Sequence, residues 1–273
     1  MLQYIHILPK GEIMEYGFYV GFNRLFETME PLRVLNKTKE MGYSFFEILH
    51  TSKLYSKNSP EALKEAIEET GIGIPCYSVG LNIFTPQGLE TAKECLNIAS
   101  LLGAQHLHHT MCLSLTEKRN LDDVLELTAK NTALICDLAK EKGMNVLVEN
   151  QGLVFNGEEN LSRLFDAVKR DNFFFCSDLG NSLFVGEDHI RAAKKFLPIT
   201  KHVHVKDYRF SPNGAYRTPD GKAFDEVIPG EGDLPLKELL SLYKDKNIPI
   251  SVEYACPEAR YEKALQNTKA MLE

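Results

Sequence analysis

Short runs of β-branched and aromatic residues alternate along the chain with longer stretches whose apolar positions recur at helical spacing. The runs place strands near residues 2–8, 43–49, 73–79, 104–110, 145–149, 172–178, 200–206 and 249–254, and helices fill the intervals. Such alternation is the pattern of βα units building a parallel sheet. The stretch over 60–70 carries the clearest helix signals: Ser59 is placed to cap it, Pro60 suits its first turn and Gly71 is placed to stop it. Gly42, Gly71, Gly103 and Gly143 each fall just before a strand, where a helix ends on a residue at positive φ. Repeated at βα intervals, this punctuation predicts an α/β fold, a (β/α)8 TIM barrel. The length of 273 residues agrees with the roughly 250 of such a barrel, so one domain over 1–273 is expected. A doubly wound sheet is the competing arrangement, but no Gly-x-Gly-x-x-Gly follows a strand to hold a dinucleotide phosphate.

One connection breaks the rhythm. Residues 207–233, between the seventh strand and the next helix, contain Pro212, Gly214, Pro219, Gly221, Pro229, Gly230 and Gly232 and are too long for a plain connector. Loops of that length are commonly lids or binding loops, and this one belongs to the face where barrel active sites form. Composition narrows the partners: with 44% hydrophobic and 25% charged residues the chain is an ordinary globular one. A net charge of −7 disfavours nucleic acid, because phosphate binding needs clustered Lys and Arg. No apolar run reaches the roughly 18 residues of a membrane helix and the start lacks a basic signal segment, so no membrane association and a cytoplasmic location are expected. Cys76, Cys95, Cys112, Cys136, Cys176 and Cys256 form no Cys-x-x-Cys pair and read as buried free thiols.

The candidate chemistry sits at the ends of the late strands. Glu149 closes Val146-Leu147-Val148, Asp178 closes Phe173-Phe174-Phe175-Cys176-Ser177, His204 lies inside His202-Val203-His204-Val205, and Glu253 closes Ile250-Ser251-Val252. Apolar strands do not end in charges by propensity, and in a barrel four such residues can aim at one point on the axis. Three carboxylates in a narrow mouth repel one another, whereas a divalent cation removes the conflict. Oxygen-rich ligation with one imidazole suits Mn2+ first, with Mg2+, Co2+ or Zn2+ as alternatives; a structural zinc would prefer sulfur and nitrogen.

At these residues the sequence resembles the xylose-isomerase-like barrels, which include sugar and sugar-phosphate epimerases and isomerases, inositol-catabolism enzymes and metal-dependent apurinic endonucleases. The pieces that carry the likeness are Val148-Glu149-Asn150, Ser177-Asp178-Leu179-Gly180-Asn181, His202-Val203-His204-Val205-Lys206-Asp207, Pro229-Gly230-Glu231-Gly232-Asp233 and Ser251-Val252-Glu253, in that order. The resemblance implies that Glu149, Asp178, His204 and Glu253 ligate the metal and that the two glutamates also move protons. It separates the branches as well. The endonuclease pattern has a His where this chain has Asn181, and an Asp-x-His where it has Phe224 and Glu226, so ligands for extra metals are missing and DNA cleavage is not expected.

The expected activity is therefore epimerisation or isomerisation of a ketose, ketose phosphate or small hydroxy-keto compound through an enediolate, with Glu149 and Glu253 as general base and acid. A metal-dependent dehydratase on a polyol or keto-inositol, and a non-catalytic sugar-binding barrel, are the alternatives. Glu47, His108, Asn181, Lys206 and Arg209 are the candidate substrate contacts; Asn181 can serve a sugar hydroxyl as donor and acceptor, and Arg209 can grip an anionic group bidentately. Tyr4, His6, Phe84 and Phe155 are candidate pocket walls, and His202 lies one layer below His204 as support or packing. Apolar helix faces leave a homo-oligomer open.

Overall fold

The computed structural model describes residues 14–19, 25–26, 29–51, 55, 58–110, 120–254 and 260–273. The strands are β1 (Tyr16–Tyr19), β2 (Phe45–Phe46), β3 (Ile48–His50), β4 (Cys76–Gly80), β5 (His106–Thr110), β6 (Asn145–Glu149), β7 (Phe173–Asp178), β8 (Thr200–Val205), β9 (Asp207–Phe210), β10 (Tyr216–Arg217), β11 (Ala223–Val227) and β12 (Ile250–Glu253). The main sheet runs β2-β1-β12-β8-β7-β6-β5-β4-β3 with parallel pairing. Its two ends, β2 and β3, are the halves of one strand interrupted at Glu47, so the sheet closes on itself as a TIM barrel. The seam is bonded from both sides: the Glu47 N–H donates to Phe18 O at 2.9 Å and the Phe46 N–H to Gly73 O at 3.0 Å.

Outside the barrel stand α1 (Pro31–Glu40), α2 (Pro60–Thr70), α3 (Pro86–Leu101), α4 (Leu121–Glu141), α5 (Glu158–Val168), α6 (His189–Phe196), α7 (Leu236–Ser241) and α8 (Tyr261–Ala270). The start and stop signals of α2 act as expected. Ser59 Oγ accepts from the Ala62 N–H at 3.1 Å, and Gly71 ends the helix at φ 72°. Gly42, Gly103 and Gly143 likewise stand at positive φ.

Strand alternation divides the side chains into two sets. Tyr77, Leu107, Val148, Phe175, Val203 and Val252 join the large apolar cluster that also holds helix residues such as Val34, Leu63, Leu96, Ile135 and Leu164. The other set faces the axis, where Cys76, Leu147 and Cys176 make a small separate apolar group. Most of that interior is polar: Glu47, Ser78, His106, His108, His202, His204 and Ser251 are all buried. TIM-barrel interiors are usually filled with branched apolar residues. Burying carboxylate and imidazole there costs stability unless each is hydrogen-bonded or paired, so this part of the sequence is shaped by something other than packing.

Two segments go beyond the expected pattern. Tyr16–Tyr19 is a barrel strand, paired with β12 and β2, and the run at 2–8 lies outside the described residues. Gly17 lowers the strand signal of its run, since glycine weakens strands. Here glycine is required, because a Cβ at Gly17 would collide with the Phe45 ring. The 207–233 connection is not a plain loop: β10, β11 and β9 form a small antiparallel sheet. Its base is tied by Asp207, which accepts from the N–H groups of Tyr208, Gly230 and Gly232 at 2.8–2.9 Å. Among the described residues no helix is long and apolar enough to cross a membrane. Cys76, Cys95, Cys136 and Cys176 are buried free thiols, and Cys112 and Cys256 lie outside the described residues.

Candidate metal centre

Glu149, Asp178, His204 and Glu253 are contributed by β6, β7, β8 and β12, which meet side by side at the C-terminal rim of the barrel. One ligand atom from each lies within 4.8 Å of the others, and all four residues are buried. His204 Nδ1 is 3.1 Å from Glu149 Oε1 and 3.2 Å from Glu253 Oε2. Lys206 places its ammonium 2.8 Å from Glu253 Oε1 and 3.3 Å from Asp178 Oδ2.

The strand ends are held by local devices. Asp178 Oδ1 accepts from the N–H groups of Gly180 and Asn181 at 2.7 and 2.8 Å, which turns Oδ2 toward the cluster. Asn150 clamps the tip of β7: its amide donates to Asp178 O, and its carbonyl oxygen accepts the Asp178 N–H, both at 2.9 Å. Asn156 in turn holds Asn181 O at 2.7 Å. Tyr19, at the end of β1 and in register with Glu253, stacks on His204 with ring centroids 4.7 Å apart and planes 23° from parallel.

Electrostatically the site is a set of unlike demands. Burial pushes the Asp178 carboxyl up to about 7; Lys206 opposes that, and Glu253 and Glu149 add to it. For Glu253 burial acts in the same direction, but Lys206 and His204 outweigh it and hold the group below the ordinary range. Glu149 is driven well down against burial by His204 and His108. His204 is raised well above the usual imidazole value against burial, with Cys176, Glu47 and Glu149 responsible. Lys206 is raised well above its usual value by Asp178 and Glu253, again against burial.

The donor set fits a divalent cation. It offers three carboxylates and one imidazole, an oxygen-rich combination suited to Mn2+, Mg2+, Co2+ or a catalytic Zn2+. Asp178 Oδ2 and Glu253 Oε2 are buried with only ionic contacts, to Lys206 and His204, and no hydrogen bond. Other groupings on the axis fit less well. Glu47, His202 and His204 are already in direct contact at 2.8–3.1 Å, and the thiols of Cys76 and Cys176 are pushed up by burial, so they stay protonated and poor ligands.

A sequence profile described as the xylose isomerase-like TIM barrel matches residues 35–271, most of the chain. The chain belongs to that family. Inosose dehydratase of Clostridium perfringens is 28% identical over 137 residues, which cover 48% of this chain and 45% of the relative. The match thus spans about half the length of this curated relative. Among solved structures, the IOLI protein with a bound zinc atom superposes with a TM-score of 0.75 at 20% identity, covering 94% of this chain and 96% of that one. The 3-keto-D-glucoside 4-epimerase YcjR from E. coli gives 0.73 at 18% identity, covering 94% and 100%. The structural likenesses bear on the fold; the named relatives include a dehydratase and a sugar epimerase.

Around the four-residue cluster the structure brings some of the candidate substrate contacts close and leaves others apart. Asn181 Nδ2 is 3.4 Å from Glu149 Oε1, and His108 Nε2 is 3.5 Å from Glu149 Oε2. Glu47 is fully buried below the cluster and is bonded to Ser78, Ser251, His202 and His204. Arg209 is exposed on β9, and its guanidinium donates to Glu231 O, away from the cluster. Phe84 and Phe155 belong to the outer apolar core and are not pocket walls, while Tyr4 and His6 lie outside the described residues. His109 is buried, with neither ring nitrogen hydrogen-bonded. Tyr19 and Asn150 were not singled out by sequence reasoning. The aromatic run ending in Tyr19 was legible only once β1 had been placed, and Asn150 was visible as a polar residue next to Glu149.

Proposed function

We propose that this barrel catalyses metal-dependent proton transfer at the carbon beside the carbonyl of a ketose or small hydroxy-keto compound, producing an epimer or isomer. The observation that carries this reading is the arrangement of two buried glutamates, Glu149 and Glu253, on either side of Asp178 and His204 in one cluster of donor atoms. Glu149, Asp178, His204 and Glu253 would hold a divalent cation, Mn2+ first among the candidates. Bound there, such a cation would supply Lewis-acid charge that lowers the energy of the enediolate left by deprotonation.

The chain's own residues supply the rest. One glutamate carboxylate takes the carbon-bound proton, and the other returns a proton to the opposite face or to the neighbouring carbon. Lys206 and His108 set the charge of these carboxylates from opposite sides, and Asn181 presents an amide to substrate hydroxyls. Arg209, exposed on β9 and bonded to Glu231 O, is given no contact to substrate. A cytoplasmic location accords with the buried free thiols.

Dehydration is the second reading, favoured by the similarity to inosose dehydratase. It begins with the same proton abstraction; a protonated Lys206 or His108 then delivers a proton to the departing hydroxide, which leaves as water. Product mass separates the two outcomes. Glu149→Gln and Glu253→Gln, made singly, test the shared step. Each is expected to lower kcat by about 10²–10⁴-fold while bound metal is retained. Full activity in either variant with metal still bound refutes the paired roles.

A further inference from the structure

We propose that Glu47 is the positioning residue of the centre, fixing the orientation and tautomer of His204 from beneath. The inference rests on the reading of the upper cluster as a metal site, but it concerns a residue that touches neither metal nor substrate. Glu47 interrupts the second barrel strand, and its fully buried side chain enters the barrel interior. Its carboxylate accepts from Ser78 Oγ and Ser251 Oγ, each at 2.5 Å, and contacts His202 Nε2 at 2.8 Å. Both of its oxygens are 3.1 Å from His204 Nε2.

The two nitrogens of His204 therefore face different surroundings. Nε2 looks down at Glu47, and Nδ1 looks up at Glu149 and Glu253, 3.1 and 3.2 Å away. A neutral imidazole has a single N–H, and an anionic acceptor attracts it. Without Glu47, the carboxylates above would draw that proton to Nδ1, the nitrogen that must be free to ligate. With Glu47 below, Nε2 holds the proton and Nδ1 offers its lone pair upward. The stacked Tyr19 ring keeps the plane from turning. A carboxylate behind a ligating imidazole fixes ring orientation and raises ligand basicity, and losing such a partner typically weakens metal binding by about 10–100-fold. The serines and His202 have a supporting part, since their contacts hold the Glu47 carboxylate pointed at Nε2.

The test compares unaltered protein with Glu47→Gln, using Zn2+ as the probe. Gln retains the size of the side chain but presents an amide to a ring of donors. Calorimetric titration of metal-stripped protein is expected to show binding about 10–100-fold weaker in the variant. Long-range proton–nitrogen NMR of the Zn2+-loaded protein, with His204 assigned by its loss in His204→Gln, reads the tautomer directly. The expected spectrum has the proton on Nε2 in unaltered protein, with that signal lost or broadened in Glu47→Gln. Equal affinity in a folded Glu47→Gln, or a proton on Nδ1 in unaltered protein, overturns the proposal. Should Glu47→Gln not fold, the tautomer in unaltered protein decides alone. If unaltered protein binds no divalent cation, the functional reading itself fails; if it binds and the variant binds equally, only the role of Glu47 fails.

Discussion

Replacing Lys206 with Met removes the ammonium that lies 2.8 Å from Glu253 and 3.3 Å from Asp178 while keeping an unbranched stem of similar length. Removing one partner of a buried ion pair costs about 3–5 kcal/mol, because a desolvated charge is left behind. The two carboxylates share that loss unequally. Asp178, already pushed up to about 7, takes up a proton near neutral pH with little penalty, so its share is small. Glu253 is held below the ordinary range mainly by Lys206 working against burial, so it bears most of the loss. The expected destabilisation at pH 8 is therefore at the lower end, about 3 kcal/mol. At roughly 2–4 °C per kcal/mol this is a fall in Tm of about 6–12 °C. The deficit should shrink at pH 6, where protonation of the carboxylates substitutes for the missing cation. It should also shrink when Mn2+ is added at pH 8, so the metal raises the Tm of the variant by more than that of the unaltered protein. Scanning calorimetry of metal-stripped samples with and without Mn2+ at both pH values measures all of this. An unchanged Tm at pH 8, or the same Mn2+ increment in both proteins, refutes the reasoning.

Asn150→Ala removes both partners of the Asp178 backbone at the tip of β7, each bond 2.9 Å long and buried. It should cost about 2–4 kcal/mol, seen as a lower urea midpoint, and should weaken metal binding as well; a midpoint within error of the unaltered protein contradicts the clamp. Metal affinity should rise with pH, because metal-free Asp178 and His204 both hold protons above their ordinary ranges and must shed them to ligate. Below pH 7, where Asp178 is also protonated, the affinity should fall at least about tenfold per pH unit, and Mn2+ titration followed by electron paramagnetic resonance at pH 6 and 8 would expose a pH-independent Kd. Gly17→Ala forces a methyl into the Phe45 ring where β1 meets β2. Overpacking of that kind costs about 1–3 kcal/mol, and a thermal midpoint equal to the unaltered protein's would show that the seam can relax.

Much of the fold was legible because barrel strands and helix stops leave local signals. The runs ending in Glu149, Asp178 and Glu253 were bounded by polar residues, and Gly71 follows a helix whose start at Ser59 and Pro60 is written in the same few residues. The cluster was legible for the same reason: strand-terminal charges in an apolar context have few explanations. What escaped depended on contacts distant in the chain. The role of Gly17 exists only through Phe45, so its low strand propensity concealed β1 and with it Tyr19. The short strands of the 207–233 segment lie among prolines and glycines that read as turns, and Asp207 anchors them through backbone donors no pattern records. Glu47 was recognised as a strand-end acid, yet its direction toward His204 is set by closure of the barrel through its own strand. Arg209 is a candidate substrate anchor in the sequence because it follows the seventh strand by a few residues, and pairing of β9 with β11 leaves it exposed beside Glu231 O.

The most direct measurement is exchange of substrate carbon-bound hydrogen for solvent deuterium, across a panel of free and phosphorylated ketoses and keto-polyols, with Mn2+ present and with metal stripped. Metal-dependent deuterium incorporation into one substrate of the panel, abolished in Glu149→Gln or Glu253→Gln, is the predicted result. Confirmed metal binding with no exchange anywhere in a broad panel would contradict the proton-transfer function and leave a carbohydrate-binding barrel in its place.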